Sequence, residues 1–202
     1  MSRLRLFGFL FAFGLILISA VTGVAWLRAS AEPALRGRVL EPQPAPEVVL
    51  TGAGGREVRL SAFSGKVVLL YFGYTFCPDV CPTTLTELRK AFQELGPRAD
   101  AARVIMVSVD PERDTPDRID EYVKRFDRRF LGLSGTPEQV AAAAAAFDIY
   151  YTRERGSAAS GYLVTHTASV LLIDPDGQIR LSYAYGTPPA DIAADIRALA
   201  AP

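Results

Sequence analysis

The sequence predicts a mixed α/β fold, and two observations indicate it. The segments 66–73 and 103–109 are apolar except for Lys66, Arg103 and Ser108, as expected of strands that are covered on both faces of a sheet. Each is followed by a segment whose apolar residues recur at helical spacing. A strand followed by a helix, twice in succession, is typical of a sheet with parallel strands. With 202 residues, half of them apolar, the chain can form one domain with its own core.

A long apolar segment precedes this domain. It runs uncharged from Leu6 to Leu27, follows Arg3 and Arg5, and is long enough to span a bilayer. We therefore expect residues 1–28 to form a retained membrane anchor, with the rest of the chain translocated across the membrane. A cleaved signal peptide is the alternative, because Ala29-Ser-Ala31 resembles a small-residue cleavage site.

A proline-rich segment connects the apolar segment to the folded domain. Residues 29–45 include Pro33, Pro42 and Pro44 and show no hydrophobic periodicity. This composition favours an extended, polyproline-like backbone. We expect residues 29–45 to be a tether and residues 46–202 to be the folded domain.

The folded domain is predicted to begin with a β-hairpin. Glu47–Thr51 and Glu57–Leu60 alternate between apolar and polar residues on either side of a glycine-rich turn. The first buried strand follows the hairpin and leads to a helix. Pro82 suits the first turn of that helix, where its missing N–H is not needed, and Gly96-Pro97 ends it.

The second buried strand leads into a charged, proline-bounded loop, Asp110–Pro116. We interpret this loop as the cap of the following helix, with Asp114 or Thr115 accepting from its free N–H groups and Arg113 paired locally. Phe130–Leu133 is expected to be a short strand. A further helix, capped by Thr136, is expected to run through the alanine tract.

The last part of the chain predicts a loop, a hairpin and a helix. Arg153–Gly161 is polar and glycine-containing, as in a surface loop, and the apolar segments 168–174 and 178–184 flank a Pro-Asp-Gly turn. A helix from Pro188 to Ala200 ends the domain. This element order is that of a thioredoxin-like fold with an N-terminal β-hairpin, preceded here by one transmembrane helix.

The two cysteines of the chain, Cys77 and Cys81, directly follow the first buried strand. Residues four apart on a helix have Cβ atoms about 5–6 Å apart, so the two sulfurs can share a metal ion or form a disulfide. A disulfide between cysteines so close in sequence would restrict the unfolded chain little, which argues against a structural role. The helix N-terminus is expected to lower the thiol pKa of Cys81.

The single histidine, His166, precedes the first strand of the terminal hairpin. Functional crevices of open α/β sheets lie at the carboxyl ends of strands, so we expect His166 to lie near Cys77 and Cys81. An ordinary hydrogen-bonded loop histidine is the alternative. Two thiolates and one imidazole suit Cu(I), whereas a structural zinc site usually has four ligands. Asp79 can add an oxygen ligand or only orient the loop.

The sequence resembles the Sco/SenC copper-chaperone family from about Pro46 to its C-terminus. Three motifs carry the resemblance, and they are specific in combination: Tyr71-Phe-Gly-Tyr-Thr-Phe-Cys-Pro-Asp-Val-Cys-Pro82, Val107-Ser-Val-Asp-Pro-Glu-Arg-Asp-Thr-Pro116, and Tyr162-Leu-Val-Thr-His-Thr167 followed by Leu172-Ile-Asp-Pro-Asp-Gly177. One position departs from the family pattern, because many members have Asp where this chain has Thr165. Loss of that carboxylate can alter the control of the imidazole.

The resemblance implies a copper chaperone that binds copper, as Cu(I) or Cu(II), through Cys77, Cys81 and His166. It implies delivery to the dinuclear copper centre of cytochrome c oxidase. The alternative is a thiol–disulfide oxidoreductase in which Cys77 and Cys81 are catalytic and reduce the cysteines of that centre, so enzymatic activity stays an open question. A thiol peroxidase is a third class, but its activity should not require both cysteines and His166 together.

The resemblance also implies partners and a location. The partners are the copper-bearing subunit of the oxidase and other periplasmic copper or thiol-redox proteins. The location is the bacterial inner membrane, with a single-pass anchor and the C-terminal domain in the periplasm. The formal net charge of zero gives no indication of nucleic-acid binding.

Overall fold

The structure, a computed structural model, describes residues 34–156 and 161–200. Within this part, a six-stranded mixed sheet has the strand order β1-β10-β9-β4-β5-β6. Its strands are β1 (Arg38–Pro44), β4 (Val67–Gly73), β5 (Ala102–Ser108), β6 (Leu131–Leu133), β9 (Val170–Ile173) and β10 (Gln178–Tyr183). Strands β4, β5 and β6 are parallel, and β9, β10 and β1 extend the sheet in antiparallel fashion. The predicted α/β, thioredoxin-like fold is confirmed.

Strand β4 lies in the centre of the sheet. All of its residues are buried, and it pairs with β5 on one side and β9 on the other. Its continuous apolar sequence therefore has the expected cause, since neither face of the strand meets water. The carboxyl end of β4 leads directly into the two cysteines.

Four α-helices connect and cover the strands of the described part. They are α1 (Val80–Leu95), α2 (Pro116–Lys124), α3 (Pro137–Ala146) and α4 (Pro189–Leu199). As predicted, Thr115 caps α2 and Thr136 caps α3, the latter in a capping box with Gln139. Helix α1 packs against α4 and buries an apolar face that includes Leu85, Leu88 and Phe92.

The prediction that residues 29–45 form an extended tether is wrong for the C-terminal half of that segment. Arg38–Pro44 forms the edge strand β1, which pairs antiparallel with β10 across an irregularity in register between Val39 and Gln43. Prolines are tolerated on an edge strand, where one row of backbone groups is not needed for pairing. Buried Asp195 accepts from the backbone N–H groups of Arg36 and Gly37 and fastens the start of this segment.

Two small hairpins lie outside the main sheet. β2 (Val49–Thr51) and β3 (Glu57–Arg59) form the predicted N-terminal hairpin. β7 (Tyr151–Arg155) pairs with β8 (Tyr162–His166). The prediction of a surface loop over Arg153–Gly161 is therefore wrong at its start. Arg153–Arg155 continues β7 and pairs across the hairpin with Val164, Leu163 and Tyr162.

The membrane anchor predicted for residues 1–28 lies outside the described residues. Among the residues that are described, no helix has both the length and the apolar character needed to cross a bilayer.

Candidate metal centre

Cys77, Cys81 and His166 come together at the carboxyl end of β4. One ligand atom from each residue, two sulfurs and a ring nitrogen, lies within 4.8 Å of the other two. The cysteines are both free thiols, with Cys81 fully buried and Cys77 half-buried. Asp79 is not a member of this group, although it lies between the two cysteines in sequence.

The two cysteines occupy different local structures. Cys81 is the second residue of α1, whereas Cys77 lies in the turn before the helix begins. The expectation that the two cysteines lie four residues apart on one helix is therefore wrong. They approach because the backbone N–H of Cys81 donates to Sγ of Cys77 over 3.4 Å. The arrangement places Cys77 where solvent or a partner can reach it.

His166 has its ring oriented by a backbone contact. Nδ1 lies 3.1 Å from the carbonyl oxygen of Thr167, and Nε2 lies 3.4 Å from Sγ of Cys81. A carbonyl oxygen can only accept, so the proton belongs on Nδ1 and Nε2 keeps its lone pair toward the sulfurs. This is the tautomer that a metal ligand requires, with the second ring nitrogen fixed by an outer partner.

Aromatic rings surround the imidazole, and a glycine leaves room for the buried sulfur. The rings of Tyr71 and Tyr74 meet the His166 ring edge-on, at centroid distances of 6.1 and 5.9 Å. A Cβ atom placed on Gly73 would lie 3.0 Å from Sγ of Cys81. The last residue of β4 must therefore be small for Cys81 to occupy this position.

The two thiols differ strongly in acidity. The hydrogen bond from Cys81, opposed by partial burial and helped by the backbone N–H groups of Cys81 and Asp79, lowers the pKa of Cys77 to about 4. The pKa of Cys81 is raised, because its proton is held by Cys77 and its sulfur is buried. The prediction that Cys81 carries the lowered thiol pKa is therefore wrong, because burial and its neighbour outweigh the helix N-terminus. The pair holds one proton, on Cys81.

Two buried carboxylates beside the centre were missed by the sequence analysis. Asp110 and Asp114 are fully buried, although the sequence of their loop indicates a helix cap. Asp114 accepts from the backbone N–H of Thr75 over 2.9 Å, from its hydroxyl and from the hydroxyl of Ser108. Asp110 pairs with Arg113 and accepts from the hydroxyl of Tyr162. The Asp-Pro-Glu-Arg-Asp-Thr-Pro motif was the signal that could have identified them.

Comparison with known proteins places this arrangement in a family. The sequence profile of the SCO1/SenC family matches residues 42–201. The chain belongs to the SCO1/SenC family. The SCO2 homologue of cattle mitochondria is 36% identical over 171 residues, which cover 80% of this chain and 64% of the relative. The human SCO1 homologue is 35% identical over 149 residues, covering 73% of this chain and half of the relative. The chain thus spans about half to two thirds of the length of these SCO1/SenC relatives.

Solved structures of the SCO1/SenC family superpose on the chain. The solution structure of apo Sco1 from Thermus thermophilus has a TM-score of 0.74 and 44% identity, and it covers 84% of this chain and 99% of that one. ScoI of Bradyrhizobium japonicum, solved with copper bound, has a TM-score of 0.71 and 35% identity, covering 78% of this chain and 99% of that one. The fold of the family is therefore present over the described domain.

Proposed function

We propose that this protein binds copper through Cys77, Cys81 and His166 and delivers it to the dinuclear copper centre of cytochrome c oxidase during assembly. The observation that carries the proposal is the convergence of the two sulfurs with Nε2 of His166, whose lone pair faces them. Membership of the SCO1/SenC family and the copper bound to the Bradyrhizobium japonicum structure support copper as the metal. In this reading copper is the cargo of the protein.

The donor set fits copper chemically. Thiolate sulfur is a soft ligand that selects Cu(I), and imidazole suits copper in either oxidation state. Cys77 is already a thiolate near neutral pH, so binding requires the loss of a single thiol proton, from Cys81. The half exposure of Cys77 gives a copper-accepting partner a side from which its own ligands can approach.

A thiol–disulfide oxidoreductase is the second candidate, and the asymmetry of the cysteine pair favours it specifically. Cys77 is accessible and ionised, so its thiolate can attack a partner disulfide and displace one partner sulfur as a thiolate. Buried Cys81, after losing its proton, can then attack the Cys77 sulfur of the mixed disulfide and release the second partner thiolate. The pair ends as a Cys77–Cys81 disulfide, and the acceptor cysteines are reduced.

A Cu(I) titration separates the two candidates. The reduced full-length protein is titrated against a competing chelator, beside the His166→Ala, Cys77→Ser and Cys81→Ser variants. We expect one Cu(I) per chain, strong weakening in His166→Ala and no binding in either cysteine variant. Disulfide reductase activity should survive in His166→Ala because that reaction needs only the cysteines. Copper affinity unchanged in His166→Ala would contradict the three-ligand site and leave the oxidoreductase as the better proposal.

We further propose that residues 1–28 anchor the chain in the bacterial inner membrane, with the C-terminal domain facing the periplasm. The uncharged segment Leu6–Leu27 supports the anchor by its length. Protease added to spheroplasts should digest the domain, while an alkaline carbonate wash should leave the N-terminal segment in the membrane. A domain protected until the spheroplasts are lysed would contradict this orientation.

A further inference from the structure

The loop Asp110–Thr115, which we call the bridging loop, contacts the segment that carries Cys77. Fully buried Asp114 holds the backbone N–H and the hydroxyl of Thr75, two residues before Cys77. The guanidinium of Arg113 lies 4.5 Å from the centroid of the Phe76 ring, next to Cys77 in sequence. The position of the first thiol therefore depends on this loop.

The same loop contacts the hairpin that carries His166. Nη1 of Arg113 donates to the carbonyl oxygen of Tyr162 over 3.0 Å, and its guanidinium lies 3.7 Å from the Tyr162 ring centroid. The Tyr162 hydroxyl donates to Asp110 over 2.6 Å. Glu112 forms an ion pair with Arg153 of β7 at 2.6 Å. The bridging loop thus joins the cysteine segment to both strands of the histidine hairpin.

Helix capping does not explain these contacts. Thr115 alone accepts from the backbone N–H of Arg118 at the start of α2, so the carboxylates of Asp110 and Asp114 are not needed as caps. Burying a carboxylate is costly unless hydrogen bonds and opposite charge compensate it. Asp110 receives that compensation from Arg113 and from Tyr162, a residue of the hairpin.

Strand β8 of the hairpin connects the position of Tyr162 with the position of His166. Tyr162 begins β8 and His166 ends it, and every residue between them pairs with β7. At about 3.3 Å of rise per residue, His166 lies about 13 Å from Tyr162 along this paired strand, so a change in the orientation of the strand at Tyr162 also moves His166. A second attachment lies between them, where the backbone N–H of Val164 donates to the Tyr74 hydroxyl over 3.2 Å.

We propose that Asp110, Arg113 and Tyr162 are positioning residues for His166. They hold the hairpin at the orientation that keeps Nε2 of His166 3.4 Å from Sγ of Cys81. None of the three belongs to the ligand group of Cys77, Cys81 and His166, so all act through the histidine. This inference rests on the proposed copper function, because it assigns the loop to the assembly of the ligand set.

The Tyr162→Phe variant tests the proposal with little change in volume. It removes the hydrogen bond to Asp110 and retains the ring that packs on Arg113. We expect the Cu(I) affinity of the full-length protein to fall about tenfold, as when outer partners of a ligating histidine are removed. Tyr185→Phe is the matched control, because Tyr185 is exposed and lies outside the bridging loop and the hairpin. The Cu(I) affinity of Tyr185→Phe should equal that of the parent protein.

A double-mutant cycle with His166→Ala distinguishes positioning from a general loss of stability. If Tyr162 acts through His166, Tyr162→Phe changes copper affinity less than about twofold once the imidazole is absent. An equal loss in both backgrounds, or no loss in the parent background, overturns the positioning role while leaving the copper site intact. If His166→Ala itself leaves copper affinity unchanged, the three-ligand site fails, and the positioning role fails with it.

Arg113→Lys provides a second variant for the same cycle if Tyr162→Phe does not fold. Lysine keeps the charge beside Asp110 but lacks the planar group that packs on Tyr162 and donates to its carbonyl oxygen. We expect the Cu(I) affinity of Arg113→Lys to fall when His166 is present and to change little when His166 is replaced by alanine. An Arg113→Lys protein with parental copper affinity in the presence of His166 would overturn the proposal.

Discussion

The two halves of the ligand group are built in different ways. Cys81, the second residue of α1, is fully buried beside the carboxyl end of β4, which pairs with β5 along its whole length and with β9 over four residues. His166 ends a two-stranded hairpin outside the main sheet, and side chains from the bridging loop and Tyr74 connect that hairpin to the domain. The comparison teaches that the sulfur half of the centre is set by core packing, whereas the imidazole half depends on polar contacts in addition to the packing of Val164 and of the rings around His166.

The largest effect is expected within the sulfur half, where the alkylation rates of Cys77 and Cys81 should depend differently on pH. The pKa of Cys77 is about 4, so it is a thiolate throughout the neutral range, whereas the raised pKa of Cys81 keeps that thiol protonated. Between pH 6 and 8 the alkylation rate of Cys77 should stay nearly constant, although that of an ordinary thiol rises about a hundredfold. Iodoacetamide labelling of the apo protein followed by peptide mass mapping measures both sites.

His166→Ala sharpens that experiment. Nε2 of His166 presents a lone pair to the sulfurs and has no proton to donate to a thiolate, so the lowered pKa of Cys77 is assigned to the hydrogen bond from Cys81. Without the imidazole, the labelling rate of Cys77 should therefore stay nearly constant between pH 6 and 8. A parental rate that climbs a hundredfold across the same range, or faster labelling of Cys81 than of Cys77, would contradict the assignment of the shared proton to Cys81.

A change in the core half should affect stability and copper affinity together. In Gly73→Ala the new methyl group would lie 2.8 Å from Cε of Met106 and 3.0 Å from Sγ of Cys81. We expect the free energy of unfolding in urea to fall by about 1–3 kcal/mol, because the core is overpacked, and Cu(I) affinity to fall as the sulfur is displaced.

Gly37→Ala is the control for this crowding. Its methyl group would lie 2.6 Å from the Tyr183 ring, which is not part of the ligand group. We expect a comparable loss of stability with parental copper affinity. Equal losses of copper affinity in the two variants would mean that general destabilisation, and not the position of Cys81, governs binding.

The smallest effect is expected at the position that departs from the family pattern. The hydroxyl of Thr165 donates to Glu154 across the hairpin over 2.6 Å, and both residues are exposed. In Thr165→Asp two carboxylates face each other, so we expect a loss of stability below about 1 kcal/mol in thermal unfolding, with copper affinity little changed. Thr165→Val separates loss of the hydrogen bond from charge repulsion. A large change in copper affinity would show that this face of the hairpin also controls the imidazole.

The sequence allowed prediction of the parts whose pattern is local. The apolar segment before Cys77 predicted β4, Pro82 and Gly96-Pro97 placed α1, and Thr136 marked the start of α3. Each depends on residues within a few positions of one another. His166 was predicted near the cysteines from topology, and the structure brings it there.

The parts that were missed depend on partners distant in sequence. Strand β1 exists because β10, far along the chain, offers an open edge, and its prolines suggested a free tether. Asp110 and Asp114 resemble solvated charges in a loop until Tyr162 and Thr75 are brought against them. The acidity of the thiols was assigned to the wrong cysteine because helix position is visible in a sequence and burial is not.

The two edges of the main sheet bear on solubility. An open edge strand offers its free N–H and C=O groups to other chains, and this is a common route to aggregation. Here one edge strand, β1, contains Pro42 and Pro44, which have no N–H to donate, and the other, β6, is only three residues long. A domain that leaves the Cys77 side chain half-exposed thereby gives other copies of itself little backbone on which to add a strand.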